Sequence, residues 1–169
     1  MLTSETDISN VVLDEEVAGR ADTDMPAGLA WWLAALLVVT QRADAAVVVH
    51  DGEPTSLLFA EKFLRGAINA DSQAAQAIQA GQGSPEYLLW CVAHLAAPGM
   101  LITTVDGLTS MRLHRADGTT IGGAALANLR DRLARNRVPL PVNDQARGTI
   151  HDRAQELQQA WKAAQEAEQ

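Results

Sequence analysis

Two His-Asp pairs, His50-Asp51 and His151-Asp152, are the residues of this sequence with the most direct chemical potential. Imidazole and carboxylate groups together bind divalent ions and activate water, which is the chemistry of a metal-dependent hydrolase. The context weakens this interpretation. His50 follows a run of valines that predicts a strand, whereas His151 is expected on a helix beside Arg153. We therefore keep a metal site as the weaker alternative and expect no cofactor.

The first pair also has a simpler explanation, because Asp51-Gly52 is one of three Asp-Gly dipeptides in the chain. The others are Asp106-Gly107 and Asp117-Gly118. In tight turns an aspartate hydrogen-bonds its local backbone and a glycine accepts a positive φ. A turn accounts for Asp51 and Gly52, and we expect the imidazole of His50 to meet no other element.

No set of residues indicates nucleophilic catalysis. The single cysteine, Cys91, lies in the apolar segment YLLWCVAHL, where packing as a small hydrophobic residue is the expected role. No serine is framed by glycines as in a nucleophile elbow, and Gly118–Ala124 lacks the lysine of a phosphate-binding loop. The sequence therefore predicts no catalytic residue.

Charge and the last part of the chain instead favour contacts with other proteins. The predicted contact residues are Arg130, Arg135, Arg137, Leu157 and Trp161. The arginines follow a predicted helix from Ala124 to Arg137, whereas the chain as a whole has a net charge of -8. An acidic protein is repelled by nucleic acid and by anionic membranes. We expect a protein partner or self-association, consider a small-molecule ligand possible, and expect neither nucleic acid nor membrane.

Three patterns indicate the elements that would position these residues. Leu29–Val39 is apolar on every face, as in a central helix. Ala45–Val49 is a short β-branched run ending at a turn, which predicts a buried strand. Met100–Gly122 contains β-prone runs separated by Asp-Gly and predicts an antiparallel meander. We predict a single α+β domain, in which a central apolar helix and several amphipathic helices pack on a small, mainly antiparallel sheet.

The predicted organisation has three parts. Residues 1–24 are an acidic, partly disordered leader, residues 25–138 the α+β core domain, and residues 139–169 a linker and a C-terminal amphipathic helix. That helix, expected over Asn143–Glu166, has an apolar seam about two heptads long. A helix with so short a seam is not stable alone, so it must dock on the core or on a partner.

These patterns lead to a function prediction. We expect a non-enzymatic partner-binding protein of the adaptor, chaperone or inhibitor type, self-associating through its C-terminal helix. The alternatives are a small-ligand sensor, with a pocket between the sheet and the helices of Trp31 and Trp90, and the metal-dependent hydrolase. The N-terminus lacks the pattern of a signal peptide, and the apolar run 25–39 is short for a membrane span. A cytoplasmic location is expected.

Overall fold

The computed structural model describes residues 12–13, 15–70, 75–128 and 148–168. The strands in these ranges are β1 (Val12–Leu13), β2 (Val17–Arg20), β3 (Ala45–His50), β4 (Gln76–Gln82), β5 (Gly99–Val105), β6 (Leu108–His114), β7 (Thr120–Ile121) and β8 (Thr149–Asp152). The helices are α1 (Gly28–Gln41), α2 (Pro54–Ile68), α3 (Pro85–Leu95), α4 (residues 124–128) and α5 (Ala154–Ala167).

All the strands belong to one mixed sheet, with the order β1-β2-β6-β5-β3-β4-β8 and β7 beside β6. The neighbouring strands β5, β3, β4 and β8 are parallel, and the pairs on the β6 side are antiparallel. The predicted α+β class is confirmed, as are the central helix, the strand at 45–50 and the antiparallel meander. The sheet is larger than expected because β4 and β8 extend its parallel part.

Strand β4 has a composition that favours a helix, and β8 lies within the segment that the sequence predicts as a helix. The sequence of β4, QAIQAGQ, is rich in alanine and glutamine, which are good helix formers. Its parallel pairing with β3 on one side and β8 on the other overrides that propensity. The helix predicted over Asn143–Glu166 begins at Ala154, and His151 and Asp152 lie on strand β8 before it, whereas residues 143–147 lie outside the described residues.

The helices cover the two faces of the sheet. Helices α1 and α2 pack with Ala46 and Val48 of β3 in one hydrophobic cluster. Helices α3 and α5 pack with Val47 and Val49 in the other. Side chains of successive strand residues point to opposite faces, so this one strand contributes to both cores.

Proline and serine fix the helix starts that the sequence indicates. Helix α3 begins with Pro85, and the hydroxyl of Ser84 caps it by accepting a hydrogen bond from the backbone N–H of Tyr87 at 3.2 Å. Helix α2 begins with Pro54 but has no side-chain cap. The first turn of α2 consequently keeps backbone N–H groups without a side-chain partner.

The ends of the described chain join the same sheet. Strand β2 falls within the stretch predicted as a leader and pairs with β6, while residues 1–11 and 14 lie outside the described residues. The division into leader, core and C-terminal part stays a prediction. None of the helices in the described ranges is long and apolar enough to cross a membrane.

The C-terminal helix α5 docks on the core, as the sequence predicts. Leu157 is fully buried, and the side-chain amide of Gln158 donates a hydrogen bond to the backbone oxygen of Gln82 at 2.9 Å. Close packing also requires Gly81, because a Cβ there would lie 2.7 Å from that of Ala154. The seam of α5 is thus covered by its own chain at Leu157.

Candidate functional site at the carboxyl ends of β3 and β5

The path of the chain places a reversal of strand order between β3 and β5, and we call the region outside the carboxyl ends of these two strands the crevice. From β3 the chain passes through α2 to β4 on one side, and then through α3 to β5 on the other side of β3. In sheets with parallel strands, ligands bind outside the carboxyl ends at such a reversal of strand order. Here that point is occupied by the loop of residues 51–53 after β3 and by Thr104 near the end of β5.

Asp51 fastens this loop to β5. Its Oδ1 accepts a hydrogen bond from the backbone N–H of Glu53 at 3.0 Å, and its Oδ2 accepts one from the backbone N–H of Thr104 at 2.7 Å. The first bond and the positive φ of Gly52 (87°) are the turn predicted from the sequence. The second bond crosses to another strand, so the carboxylate does more than form a local turn.

The imidazole of His50 is held by the same loop. Its Nδ1 lies 3.0 Å from the backbone N–H of Gly52, which donates to it. Nδ1 therefore carries no proton, and in the neutral ring the proton is on Nε2. The side chain is 7% exposed, and this burial lowers its pKa from the ordinary value despite the opposing effect of the Asp51 carboxylate. His50 is thus a neutral group that can donate one hydrogen bond from Nε2.

A chain of hydroxyl groups connects the start of α2 to β5 and β6. The Oγ of Ser56 and the Oγ1 of Thr104 are 2.8 Å apart, and the latter lies 3.0 Å from the Oγ1 of Thr109. Ser56 and Thr109 are fully buried, whereas Thr104 is partly exposed. These bonds fix the first turn of α2 against the β5–β6 hairpin, and only Thr104 can reach a ligand.

The arrangement suits hydrogen bonding to a polar ligand. The side chain of Gln82 lies over Gly52, since a Cβ on Gly52 would be 2.8 Å from the Gln82 amide. Arg20 supplies a positive charge at the tip of the β5–β6 hairpin, with its guanidinium 3.1 Å from where a Cβ of Gly107 would lie. Neutral donors, amides and one cation are the groups that bind sugar hydroxyls and oxyanions.

The two His-Asp pairs do not come together. His151 and Asp152 lie on the exposed strand β8, which is separated from β3 by β4, a distance of roughly 10 Å between strand axes. No group of three or more histidine, cysteine, aspartate or glutamate side chains forms a metal-binding cluster among the residues that the structure describes. The hypothesis of a metal site built from both pairs is therefore wrong.

The residues predicted for partner binding differ in where they lie. Leu157 is buried within the chain, and Trp161 packs on Tyr87 and Trp90 with ring centroids 6.1 and 5.7 Å away. Partner contact through the exposed part of Trp161 stays a prediction. Arg130, Arg135 and Arg137 lie outside the described residues.

The aromatic residues of α3 and α5 form a structural cluster. The hydroxyl of Tyr87 donates a hydrogen bond to the backbone oxygen of Ala80 at 2.7 Å, and Cys91 beside it is fully buried. Burial raises the pKa of Cys91 to about 11, so the thiol stays protonated and unreactive at neutral pH. Trp31 packs on the opposite face of the sheet from Trp90. A sensor pocket shared by their two helices is therefore not formed.

A cleft of about 210 Å³ lies at the other end of the sheet, between α1, β6 and α4. Its walls are mainly aliphatic, including Leu33, Leu37 and Leu113, with Arg115 and Asn128 among its polar residues. It is separated from the crevice at His50 and Thr104 by the length of the strands, because β6 runs antiparallel to β5 and ends beside its start. The cleft and the crevice are therefore distinct features.

Sequence reasoning missed Ser56, Gln82, Thr104 and Thr109 as members of the site. A signal was present for Thr104, since a polar residue near the carboxyl end of a predicted strand is a ligand-binding candidate once that strand is parallel to its neighbour. The sequence predicted β5 only as part of an antiparallel meander. Its parallel pairing with β3 could not be foreseen without recognising β4 as a strand.

The fold has counterparts among solved structures. A phosphoglucomutase/phosphomannomutase family protein from Burkholderia thailandensis matches with a TM-score of 0.67 at 14% identity, over 90% of this chain and 33% of its own. A protein from Thermus thermophilus assigned as a phosphomannomutase matches with a TM-score of 0.62 at 18% identity, over 89% of this chain and 35% of its own. The chain thus spans about a third of the length of either. No family model and no curated protein matches.

These structures correct the prediction of a non-enzymatic adaptor, chaperone or inhibitor. The arrangement of strands and helices is one found within phosphohexose mutases, which are enzymes. At 14% and 18% identity the likeness establishes the fold of this chain. The sequence lacks a recognisable catalytic motif, and such a lack does not by itself identify a binding protein.

Proposed function

We propose that this chain is a hexose-phosphate-binding domain of a phosphotransferase, of the kind represented by the phosphoglucomutase/phosphomannomutase proteins that share its fold. The observation that carries the proposal is the reversal of strand order between β3 and β5, where the loop of residues 51–53 is bonded to Thr104 and where sheets of this kind bind their ligands. The ligand lies over the loop of residues 51–53. A cytoplasmic location, where soluble sugar phosphates are handled, is part of the proposal.

Each group at the crevice has a role in this proposal. The first turn of α2 has no side-chain cap, so its N–H groups and helix dipole attract the phosphate. The Nε2–H of His50, the hydroxyl of Thr104 and the amide of Gln82 bind sugar hydroxyls. Arg20, at the tip of the β5–β6 hairpin, adds positive charge on the same side of the sheet edge.

The group that gives or accepts the phosphoryl is proposed to come from elsewhere. Both oxygens of Asp51 already accept backbone hydrogen bonds, and the hydroxyls of Ser56 and Thr109 are buried. A nucleophile has to approach the phosphorus directly, which these groups do not do. A protein partner, which is expected from the sequence, would supply that group in a larger assembly. The mutase chains that share the fold are more than twice as long.

Amide chemical shifts in NMR spectra test the proposal. Glucose 1-phosphate or glucose 6-phosphate should shift the resonances of Gly52, Glu53, Ser56 and Thr104, whereas inorganic phosphate or glucose alone should shift them less. The variant Asp51→Asn should bind more weakly because it loses one of the two acceptor oxygens that shape the loop.

The matched control is Asp117→Asn, since Asp117 forms an equivalent turn by accepting a hydrogen bond from the backbone N–H of Thr119 at 2.9 Å, outside the crevice. This variant should bind as the unaltered chain does. Absence of shifts at the crevice with either sugar phosphate at millimolar concentration would contradict the proposal. Interconversion of the two glucose phosphates by the chain alone would refute the part that assigns the reacting group to a partner.

A further inference from the structure

His50 makes its hydrogen bond to the loop in only one protonation state. The Nδ1 of the ring accepts from the backbone N–H of Gly52, so it must carry a lone pair. In the imidazolium form both ring nitrogens carry protons, and an N–H would then face another N–H at 3.0 Å. The bond is replaced by a repulsion as soon as the ring is protonated.

This bond is one of several that hold the loop. Gly52 lies between Asp51, whose carboxylate reaches the backbone N–H of Thr104, and Glu53, whose backbone oxygen accepts the first helical bond of α2 from Leu57. The ring cannot simply turn into water, because the side chain is 7% exposed. Protonation therefore has to move the loop, the ring, or both.

We propose that His50 is a proton-operated latch that holds the loop of residues 51–53 closed when the ring is neutral and releases it when the ring is protonated. On release, the imidazolium attracts the neighbouring carboxylate of Asp51 and draws it away from the backbone N–H of Thr104. The loop then loses the hydrogen bond to the His50 ring and the bond between Asp51 and Thr104 together, and it keeps the backbone bond from the N–H of Asp51 to the oxygen of Ile102 at 3.1 Å. The latch is an acid-sensitive control of the crevice, and its effect on ligand binding rests on the proposed function.

The burial of the ring and the charges around it set the pH range in which the latch releases the loop. Burial lowers the pKa of His50, so release occurs under mildly acidic conditions and not at neutral pH. The charged and titratable residues on the surrounding elements are Asp51 and Glu53 in the loop, Glu61, Lys62 and Arg65 on α2, Glu86 and His94 on α3, and Asp106 on the β5–β6 hairpin. Of these, Asp51 raises the pKa of His50 by a smaller effect than the opposing burial. Strand β4 contributes the uncharged Gln82.

NMR of the ligand-free chain tests the latch independently of the proposed function. At pH 7.5, the ring nitrogens of His50 should show the Nε2–H tautomer. On acidification the amide resonance of Gly52 should move with a midpoint below about pH 6.5, the ordinary pKa of histidine. Its protection against hydrogen exchange should fall about tenfold per pH unit down to that midpoint, because release is coupled to binding of one proton.

Two variants complete the test. In His50→Gln the side chain does not titrate, so the amide of Gly52 should show no transition between pH 7.5 and 5. His114→Gln is the matched control, because His114 is equally buried at 7% exposure and its pKa is also lowered by burial, but it bonds the backbone oxygen of Gly118 instead. That variant should keep the transition.

Three results would overturn the latch. They are an Nδ1–H tautomer in the unaltered chain, a Gly52 amide that does not respond to pH while His50 titrates, and the same transition in His50→Gln. The tautomer of His50 is measured in the unaltered protein, so this test remains valid even if the variant fails to fold. Failure of sugar phosphates to bind would leave these three readouts unchanged, which separates the latch from the proposed function.

Discussion

The carboxylate of Asp51 joins two strands that are adjacent in space and distant in sequence, because its Oδ2 accepts the backbone N–H of Thr104 at 2.7 Å, 53 residues away. The same carboxylate closes its own turn through Glu53. One side chain thereby fixes both sides of the crevice in which the sugar phosphate is proposed to bind.

Removal of this carboxylate should destabilise the fold. Asp51→Ala leaves the backbone N–H of Thr104 without its acceptor, and a hydrogen bond to a charged group contributes about 2 kcal/mol. We expect a loss of about 2 kcal/mol in the free energy of unfolding, measured by urea denaturation. Asp117→Ala is the control, because that aspartate is exposed and bonds only within its own turn. An equal loss in both variants would show that the contact with β5 adds nothing.

The crossing of α1 and α2 depends on the absence of a side chain at Gly66. A Cβ there would lie 2.1 Å from the backbone oxygen of Trp31, a distance that requires the two helices to separate. Gly66→Ala should therefore lower the free energy of unfolding by about 3 kcal/mol, at the upper end of the usual cost of overpacking.

Gly28→Ala provides the comparison for Gly66. Gly28 is at the start of α1, and a Cβ added there would have nothing within 4 Å, so alanine should be neutral or stabilising by up to about 1 kcal/mol. Thermal or urea denaturation of both variants measures the difference. Similar stabilities for the two variants would contradict the close approach of the helices.

The variant Leu157→Ala tests whether α5 docks on its own chain. This side chain is fully buried between α5 and the sheet, so Leu157→Ala should cost about 3 kcal/mol through lost burial and the cavity that remains. Ile150→Ala, at a site that is 46% exposed on β8, should cost less than about 1 kcal/mol. If instead Leu157→Ala leaves stability unchanged and alters only the oligomeric state in light scattering, the helix docks on a partner.

Stability should decrease in mild acid because of the buried histidines. Burial lowers the pKa of both His50 and His114 in the folded chain, whereas in the unfolded chain each keeps an ordinary pKa of about 6.5. Below about pH 6.5 the unfolded state therefore binds more protons, and the free energy of unfolding falls as the pH drops towards the folded pKa values.

Urea denaturation at pH 7.5, 6.5 and 5.5 measures this dependence on pH. The slope cannot exceed about 1.4 kcal/mol per pH unit for each histidine. The double variant His50→Gln/His114→Gln should show a flatter profile over the same range. A profile equally steep in the double variant would assign the acid sensitivity to other groups.

The sequence was sufficient for elements with strong local signals and insufficient for the site. The valines of β3 and the turn at Asp51-Gly52 could be predicted because hydrophobic runs and turn residues act locally. The bond between Asp51 and Thr104 could not, since it depends on β5 lying parallel to β3.

That arrangement in turn depends on β4, whose alanines and glutamines favour a helix when considered alone. Its pairing with β3 and β8 makes the segment a strand. The C-terminal seam was recognised correctly as a surface that needs covering, and Leu157 is buried against its own chain. An apolar seam on a helix predicts that another surface packs on it, but it does not identify that surface.

The side chains of β3 alternate between the two cores, and this limits where residues can be inserted in the chain. Ala46 and Val48 belong to one core and Val47 and Val49 to the other, so a single inserted residue in β3 would exchange the two sets and disrupt both cores at once. An insertion in the exposed turn at Asp117 and Gly118 would disturb neither core. Length variation in this protein should therefore accumulate away from β3, and the strand that leads to His50 should keep its length while its surroundings diverge.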